Sequence, residues 1–174
     1  MPYFGICLGM QIMVIEHARN VLGWANAHST EFDPDTTCAV IGLLEDQVDV
    51  RNYGGTMRLG KSESVLKEGS LIREVYGSEK ILERHRHRYE FSNVYRGDIE
   101  RSGLRISGLT PDGGLVEACE WPNHPWGIGV QFHPEFKSRP IAPAPLFKGF
   151  IGACVKAAAA AGGGASGEGH VSDS

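Results

Sequence analysis

One cysteine stands between two glycines in Gly5-Ile6-Cys7-Leu8-Gly9-Met10-Gln11. A short apolar run, Pro2-Tyr3-Phe4-Gly5-Ile6, leads into it. After it, Met10, Met13, Val14, Ala18 and Val21 recur at helical spacing and form one apolar stripe. The chain must therefore pass from strand to helix in a sharp turn at the cysteine. Glycines two before and two after it let the backbone bend tightly and leave room beside the sulfur. This is the logic of a nucleophile elbow, with sulfur in place of a serine oxygen. A thiol just ahead of a helix faces the positive end of its dipole, so its pKa is expected to fall. Cysteine is also among the most buried residue types, and a purely structural Cys7 is the competing reading of the elbow alone.

A second chemical cluster lies far down the chain at Gly129-Val130-Gln131-Phe132-His133-Pro134-Glu135. An apolar strand ends there on a histidine and a carboxylate. A thiolate nucleophile needs a base to share its proton and an orienter to fix that base's tautomer. His133 and Glu135 fit these roles, and the proline between them stiffens the strand exit.

Bulk properties narrow the class. At 174 residues, one domain is expected. Hydrophobic content of 41% with 22% charge reads as an ordinary globular protein. A net charge of −4 argues against nucleic-acid binding by bulk electrostatics. No run reaches the ~18 apolar residues of a membrane span, and no secretion signal opens the chain. Cys7, Cys38, Cys119 and Cys154 show no close pairing, which fits a reducing cytoplasm better than disulfides or a zinc site.

Along the chain, residues 2 to 6 read as a buried strand and 8 to 22 as a helix. Strands are expected at 38–44, 62–66, 104–107 and 127–132, and a half-buried strand at 114–121, where acidic and apolar residues alternate. Gly54-Gly55-Thr56-Met57-Arg58-Leu59-Gly60 reads as a mobile glycine-bounded loop. Pro140 to Pro145 is a proline-rich linker ahead of a last helix reaching Ala161. From Gly162 to Ser174 the composition predicts a disordered tail. The domain division is thus 1–156, with helix end and tail at 157–174. His85 and His87 share a strand face, but no third ligand accompanies them and no metal site is expected.

The elbow and the Gln131-Phe132-His133-Pro134-Glu135-Phe136 stretch resemble the triad-type, class I glutamine amidotransferases. Four more stretches look like the C-terminal glutaminase domain of CTP synthases. They are Asn26-Ala27-His28-Ser29-Thr30-Glu31-Phe32, Gly54 to Gly60, Glu83-Arg84-His85-Arg86-His87-Arg88-Tyr89-Glu90 and Asn123-His124-Pro125-Trp126. The resemblance spans residues 2 to about 155.

The resemblance implies an α/β fold of the flavodoxin-like class. Its doubly wound, mostly parallel open sheet carries flanking helices. It implies hydrolysis of glutamine to glutamate and ammonia through a thioester. A synthetase domain would use that ammonia with ATP and Mg2+ to convert UTP to CTP in pyrimidine biosynthesis. Carried over by position, Cys7 is the nucleophile, His133 the acid/base and Glu135 its orienter. Leu8, Gly9, Met10, Gln11, Glu31 and Arg88 fall at glutamine-binding positions. Arg88 suits the α-carboxylate as a fork, and Glu31 suits the α-ammonium. Gly54, Gly55, Thr56, Arg58 and Gly60 match a lid associated with allosteric GTP. No metal or cofactor is implied in this chain itself. The implied partners are L-glutamine and the synthetase domain, in a cytoplasmic homotetramer without nucleic acid or membrane.

The family carries a glycine-rich loop and several strands ahead of the elbow, and here Met1 opens directly on the nucleophile strand. The expectation is an N-terminally incomplete domain with an exposed sheet edge and poor behaviour alone. A truncated, catalytically incompetent fragment with a binding role at most is the alternative function. A γ-glutamyl hydrolase is a further alternative, and the stretches at 54–60 and 84–90 argue against it.

Overall fold

The computed structural model describes residues 1–43 and 57–162. Its strands are β1 (Tyr3–Ile6), β2 (Ala27–Ser29), β3 (Cys38–Gly42), β4 (Arg58–Leu66), β5 (Lys80–His87), β6 (Glu90–Phe91), β7 (Arg105–Leu109), β8 (Val116–Glu120) and β9 (Gly127–Val130). Its helices are α1 (Leu8–Asn20), α2 (Leu71–Tyr76), α3 (Arg96–Arg101) and α4 (Pro145–Gly162). Short 3-10 turns cover Asn93–Tyr95 and Pro134–Phe136. No described helix is long and apolar enough to cross a membrane.

The main sheet has the order β1-β9-β8-β7-β4-β5, and a small sheet has the order β2-β3-β6. The class is α/β with flanking helices, as expected. The pairing departs from the mostly parallel expectation. In the main sheet only β1 and β9 run parallel, and the other neighbours are antiparallel. The reason is connection length. The links β7–β8 and β8–β9, six residues each, are too short for the crossover a parallel pair requires. β1 stands at the sheet edge.

Two apolar clusters form the core. One joins Met10, Met13 and Val14 of α1 to Val40, Ile41, Phe91, Ile99 and Ile106. The other joins Ile128, Val130 and Phe132 to Ile72 of α2 and Leu146 of α4. Helix α1 lies close on its strands because two glycines allow it. A Cβ on Gly5 would sit 2.6 Å from the Gly9 carbonyl carbon, and one on Gly129 would sit 3.1 Å from Met10 Cα. Trp126 packs on Gly149 of α4 in the same way. Trp121 meets Tyr3 at 5.3 Å between ring centroids. Both tryptophans thus serve packing. Cys119 is core, whereas Cys38 and Cys154 are half-buried.

Three expectations change. Strand β4 begins at Arg58, so Arg58 to Gly60 belong to a strand paired with β5, where a mobile loop was expected. Gly54, Gly55 and Thr56 lie outside the described residues, as do 163–174. Gly162 closes α4, ahead of the expected tail. Strand β8 is wholly buried, where half-burial was expected. Its two glutamates are tolerated inside because each has partners. Glu120 accepts from the amides of Leu71 and Ile72 at 3.2 and 3.4 Å and from Arg105 at 3.1 Å. Glu117 is bound by Arg58 at 2.5 Å and approached by His85 Nε2 at 3.2 Å.

This second group is a buried titrating cluster. His85 Nδ1 meets His87 Nε2 at 3.0 Å, and His87 Nδ1 lies 3.4 Å from Glu90. Two rings meeting nitrogen to nitrogen need one donor and one acceptor, so doubly protonated rings would oppose N–H to N–H. Burial and the Arg58 charge hold His85 down to about 3 and His87 down to about 4. Burial pushes the Glu90 carboxyl up to about 8, against the pull of Arg58, and the Glu117 charge adds to the rise. The imidazole–carboxyl contacts are therefore approaches of neutral rings, although their distances resemble ion pairs. His85 Nε2 and both Glu90 oxygens have no hydrogen-bond partner among the described residues, and His87 Nδ1 donates to the Tyr89 carbonyl at 3.2 Å.

Two expectations follow for stability. Gly5→Ala should cost about 1–3 kcal/mol through overpacking. Gly152→Ala on α4, where a Cβ meets nothing within 4 Å, should gain about 0.5–1 kcal/mol. Urea titrations of both variants check this. The second expectation concerns pH. The contribution of Glu90 is full below the ordinary value of 4.5 and is lost as pH rises through about 8. The contributions of His85 and His87 are full above 6.5 and are lost as pH falls toward about 4 and about 3. Below 6.5 His85, His87 and His17, all held down by burial, outweigh the two carboxyls Glu90 and Glu117, both pushed up by burial, and above it the carboxyls act without them. The urea midpoint should therefore peak near pH 6.5 and decline toward pH 8. Glu90→Gln should flatten that alkaline decline.

Candidate active site

The parallel pair β1–β9 brings the two chemical stretches of the sequence together. Ile6 stands opposite Val130, and the Cys7 amide donates to the Val130 carbonyl at 2.7 Å. Both strands end on the same side, one in Cys7 and the other in Gln131 to His133. Cys7 occupies φ 51°, ψ −103°, the one non-glycine residue with positive φ among the described residues. Holding a side chain there costs on the order of 1–3 kcal/mol, which the packing of α1 on Gly5 and Gly129 must offset. The elbow read from the sequence is thus a strained turn in the structure. Gly5 is required by close approach. Gly9 is not crowded by the chain, since a Cβ there would meet only the Tyr3 hydroxyl at 4.0 Å.

The expected fall in the Cys7 pKa is not what the site produces. Burial pushes the thiol up, and the charges of Glu135 and Glu31 push the same way. Two donors oppose this: the Leu8 backbone amide and the Gln131 side chain, whose Nε2 lies 3.6 Å from the sulfur. The helix start thus acts through one N–H, and desolvation outweighs it.

His133 is set by three contacts. Its Nδ1 meets Glu135 Oε1 at 2.5 Å, its amide donates to the Arg84 carbonyl at 2.8 Å, and Phe136 stacks on its ring at 4.9 Å. The carboxylate fixes the proton on Nδ1 and leaves Nε2 as the basic nitrogen. That Nε2 is buried and has no partner among the described residues.

The other predicted residues divide. Leu8, Glu31 and Arg88 are exposed. The Glu31 amide also donates to Ser29 Oγ at 3.2 Å and closes a turn there. Met10 is core, which leaves only its backbone for a ligand. Gln11 is buried against Tyr89 and Gln131. Arg58 is committed to Glu117 and Ser62, and lies 3.7 Å from Glu90. The sequence reading gave no role to Gln131, Glu117 or Glu90. The available signal was a polar side chain inside an apolar strand run. A cavity of about 600 Å³ adjoins the site, lined by Leu59, Gly60, Arg84, His85, Arg86 and Phe136. Two guanidiniums between two apolar side chains suit a planar anion.

Comparison with known proteins identifies the family. The family model described as Glutamine amidotransferase class-I matches residues 1–153. The chain is 58% identical over 155 residues to the CTP synthase of Aquifex aeolicus, covering 89% of this chain and 29% of that protein. It is 57% identical over 157 residues to the CTP synthase of Bacillus subtilis, covering 90% of this chain and 29% of that protein. The chain therefore spans under a third of the length of these relatives. The glutaminase domain of Trypanosoma brucei CTPS with bound acivicin superposes with a TM-score of 0.83 at 41% identity, over 89% of this chain and 60% of that one. With the family match running through nearly all the described residues, the chain belongs to the class-I glutamine amidotransferases.

Proposed function

We propose that this chain is the glutaminase part of a CTP synthase. In this reading it hydrolyses glutamine with Cys7, His133 and Glu135 and supplies ammonia for the ATP-dependent amination of UTP. The observation that carries the reading is the delivery of Cys7 and the His133–Glu135 pair by adjoining parallel strands, with Cys7 strained at a strand-to-helix turn.

The chemistry then runs as follows. His133 Nε2 takes the Cys7 proton, and the sulfur attacks the side-chain amide carbon of glutamine. The C–N bond breaks, His133 returns the proton to the leaving ammonia, and a thioester remains. Water adds to the thioester with His133 as base, the C–S bond breaks, and glutamate leaves. Glu135 holds the tautomer and steadies the imidazolium. The Leu8 amide, now turned to the sulfur, is one donor for the oxyanion. Leu8, Gly9, Met10 and Gln11 border the substrate, the latter two through backbone or buried amide. Arg88 and Glu31 receive its α-carboxylate and α-ammonium.

The remaining parts of the reading concern the longer enzyme. Gly54, Gly55 and Thr56 belong to the lid, which Arg58 to Gly60 join to β4, and GTP is the allosteric effector. The arginine-lined cavity beside His133 supports a nucleotide contact on this face. ATP and Mg2+ belong to the synthetase domain and enter no step in this chain. That domain is the partner, the assembly a homotetramer and the compartment the cytoplasm.

Glutamate release measured in steady state tests the roles. Cys7→Ala should abolish it, and retained turnover would sink the assignment. His133→Ala should lower kcat by about 10²–10⁴. Glu135→Ala should cost less, because it orients the base and carries no proton.

A further inference from the structure

The Cys7 sulfur lies at the end of a directed chain of hydrogen bonds. The Gln11 amide Nε2 donates to the Tyr89 backbone carbonyl at 3.1 Å and to Gln131 Oε1 at 3.4 Å. Gln131 Nε2 then donates to Cys7 Sγ at 3.6 Å. Both glutamines are buried, Gln11 at 2% exposure and Gln131 at 0%. A backbone carbonyl can only accept, so Tyr89 forces Gln11 to present its NH2 group. The second hydrogen of that group faces Gln131, which must answer with its oxygen. The NH2 group of Gln131 is left pointing at the sulfur. One fixed acceptor thus sets the direction of two amides.

We propose that Gln131 is a positioning residue for the nucleophile: its side-chain N–H clamps the Cys7 sulfur, and Gln11 and the Tyr89 carbonyl hold the clamp in that orientation. The proposal deepens the glutaminase reading and rests on it. A buried thiolate beside two carboxylates is otherwise disfavoured, and a donor aimed at the sulfur stabilises the charged form. The clamp also fixes the direction from which the sulfur meets a substrate. The outer end of the chain lies on the same turn as Arg88. Ligand contact at Arg88 is therefore one peptide away from the carbonyl that orients the clamp.

The test is the pH profile of Cys7 alkylation by iodoacetamide in the full chain, read by peptide mapping. Gln131→Met removes the donor at similar length. It should raise the apparent thiol pKa by about one unit and slow alkylation at pH 7 about tenfold. Gln11→Met cuts the chain one link earlier and should shift the profile the same way by less, which decides the matter if Gln131→Met does not fold. Wild-type profiles in folded variants would overturn the clamp. The glutaminase reading fails by a different result, glutamine hydrolysis retained in Cys7→Ala.

Discussion

The parallel pairing of β1 with β9 is the constraint on which the rest depends. It is the one parallel contact in the described main sheet, and its register sets Ile6 opposite Val130. Two strands distant in sequence therefore end together on the same side. One ends in a cysteine and the other in the stretch carrying Gln131, His133 and Glu135. Antiparallel pairing would send the two ends to opposite edges of the sheet. The pairing in turn needs α1 to lie flat on both strands, which Gly5 and Gly129 permit. A side chain at either position would lift the helix and with it the strained Cys7.

The described interior holds many polar and charged side chains, and that polarity has an order. Glu117, Glu120, Glu90, His85, His87, Gln11 and Gln131 are all buried. Glu120 ties α2 and Arg105 to β8. Glu117 binds Arg58 and stands beside the histidines of β5. The glutamines link the β5–β6 turn to the nucleophile. Burying such groups is costly unless each finds a partner, so Glu117, Glu120, His87, Gln11 and Gln131 each specify a particular neighbour. The Glu90 carboxyl, without a hydrogen-bond partner among the described residues, is held by the Arg58 charge at 3.7 Å. The network reaches the sulfur at one end and Arg58, at the first residue of β4, at the other.

Much of this was legible in the sequence, for identifiable reasons. The elbow was readable because glycine spacing and helical periodicity met at one cysteine. The His133–Glu135 pair was readable because it closes an apolar strand. The short helices α2 and α3 were not, since six residues are too few to show a period. Ser70 and Gly77, which cap α2 at its two ends, were the only local signs. Strand direction was missed because pairing depends on connection geometry, and residue type carries little of it. The upward push on the Cys7 thiol was missed because burial and the approach of Glu31 and Glu135 exist only in three dimensions. Gln131 sat in plain view, but its partner Gln11 is distant in the chain.

The most direct test of the account is covalent labelling of the purified chain with a glutamine-analogue affinity label. Intact mass and peptide mapping are read with and without free glutamine, with Cys7→Ser as control. The account predicts a single adduct at Cys7 that glutamine suppresses and the control lacks. A folded sample that takes up no label at Cys7, or takes it up regardless of glutamine, would contradict it.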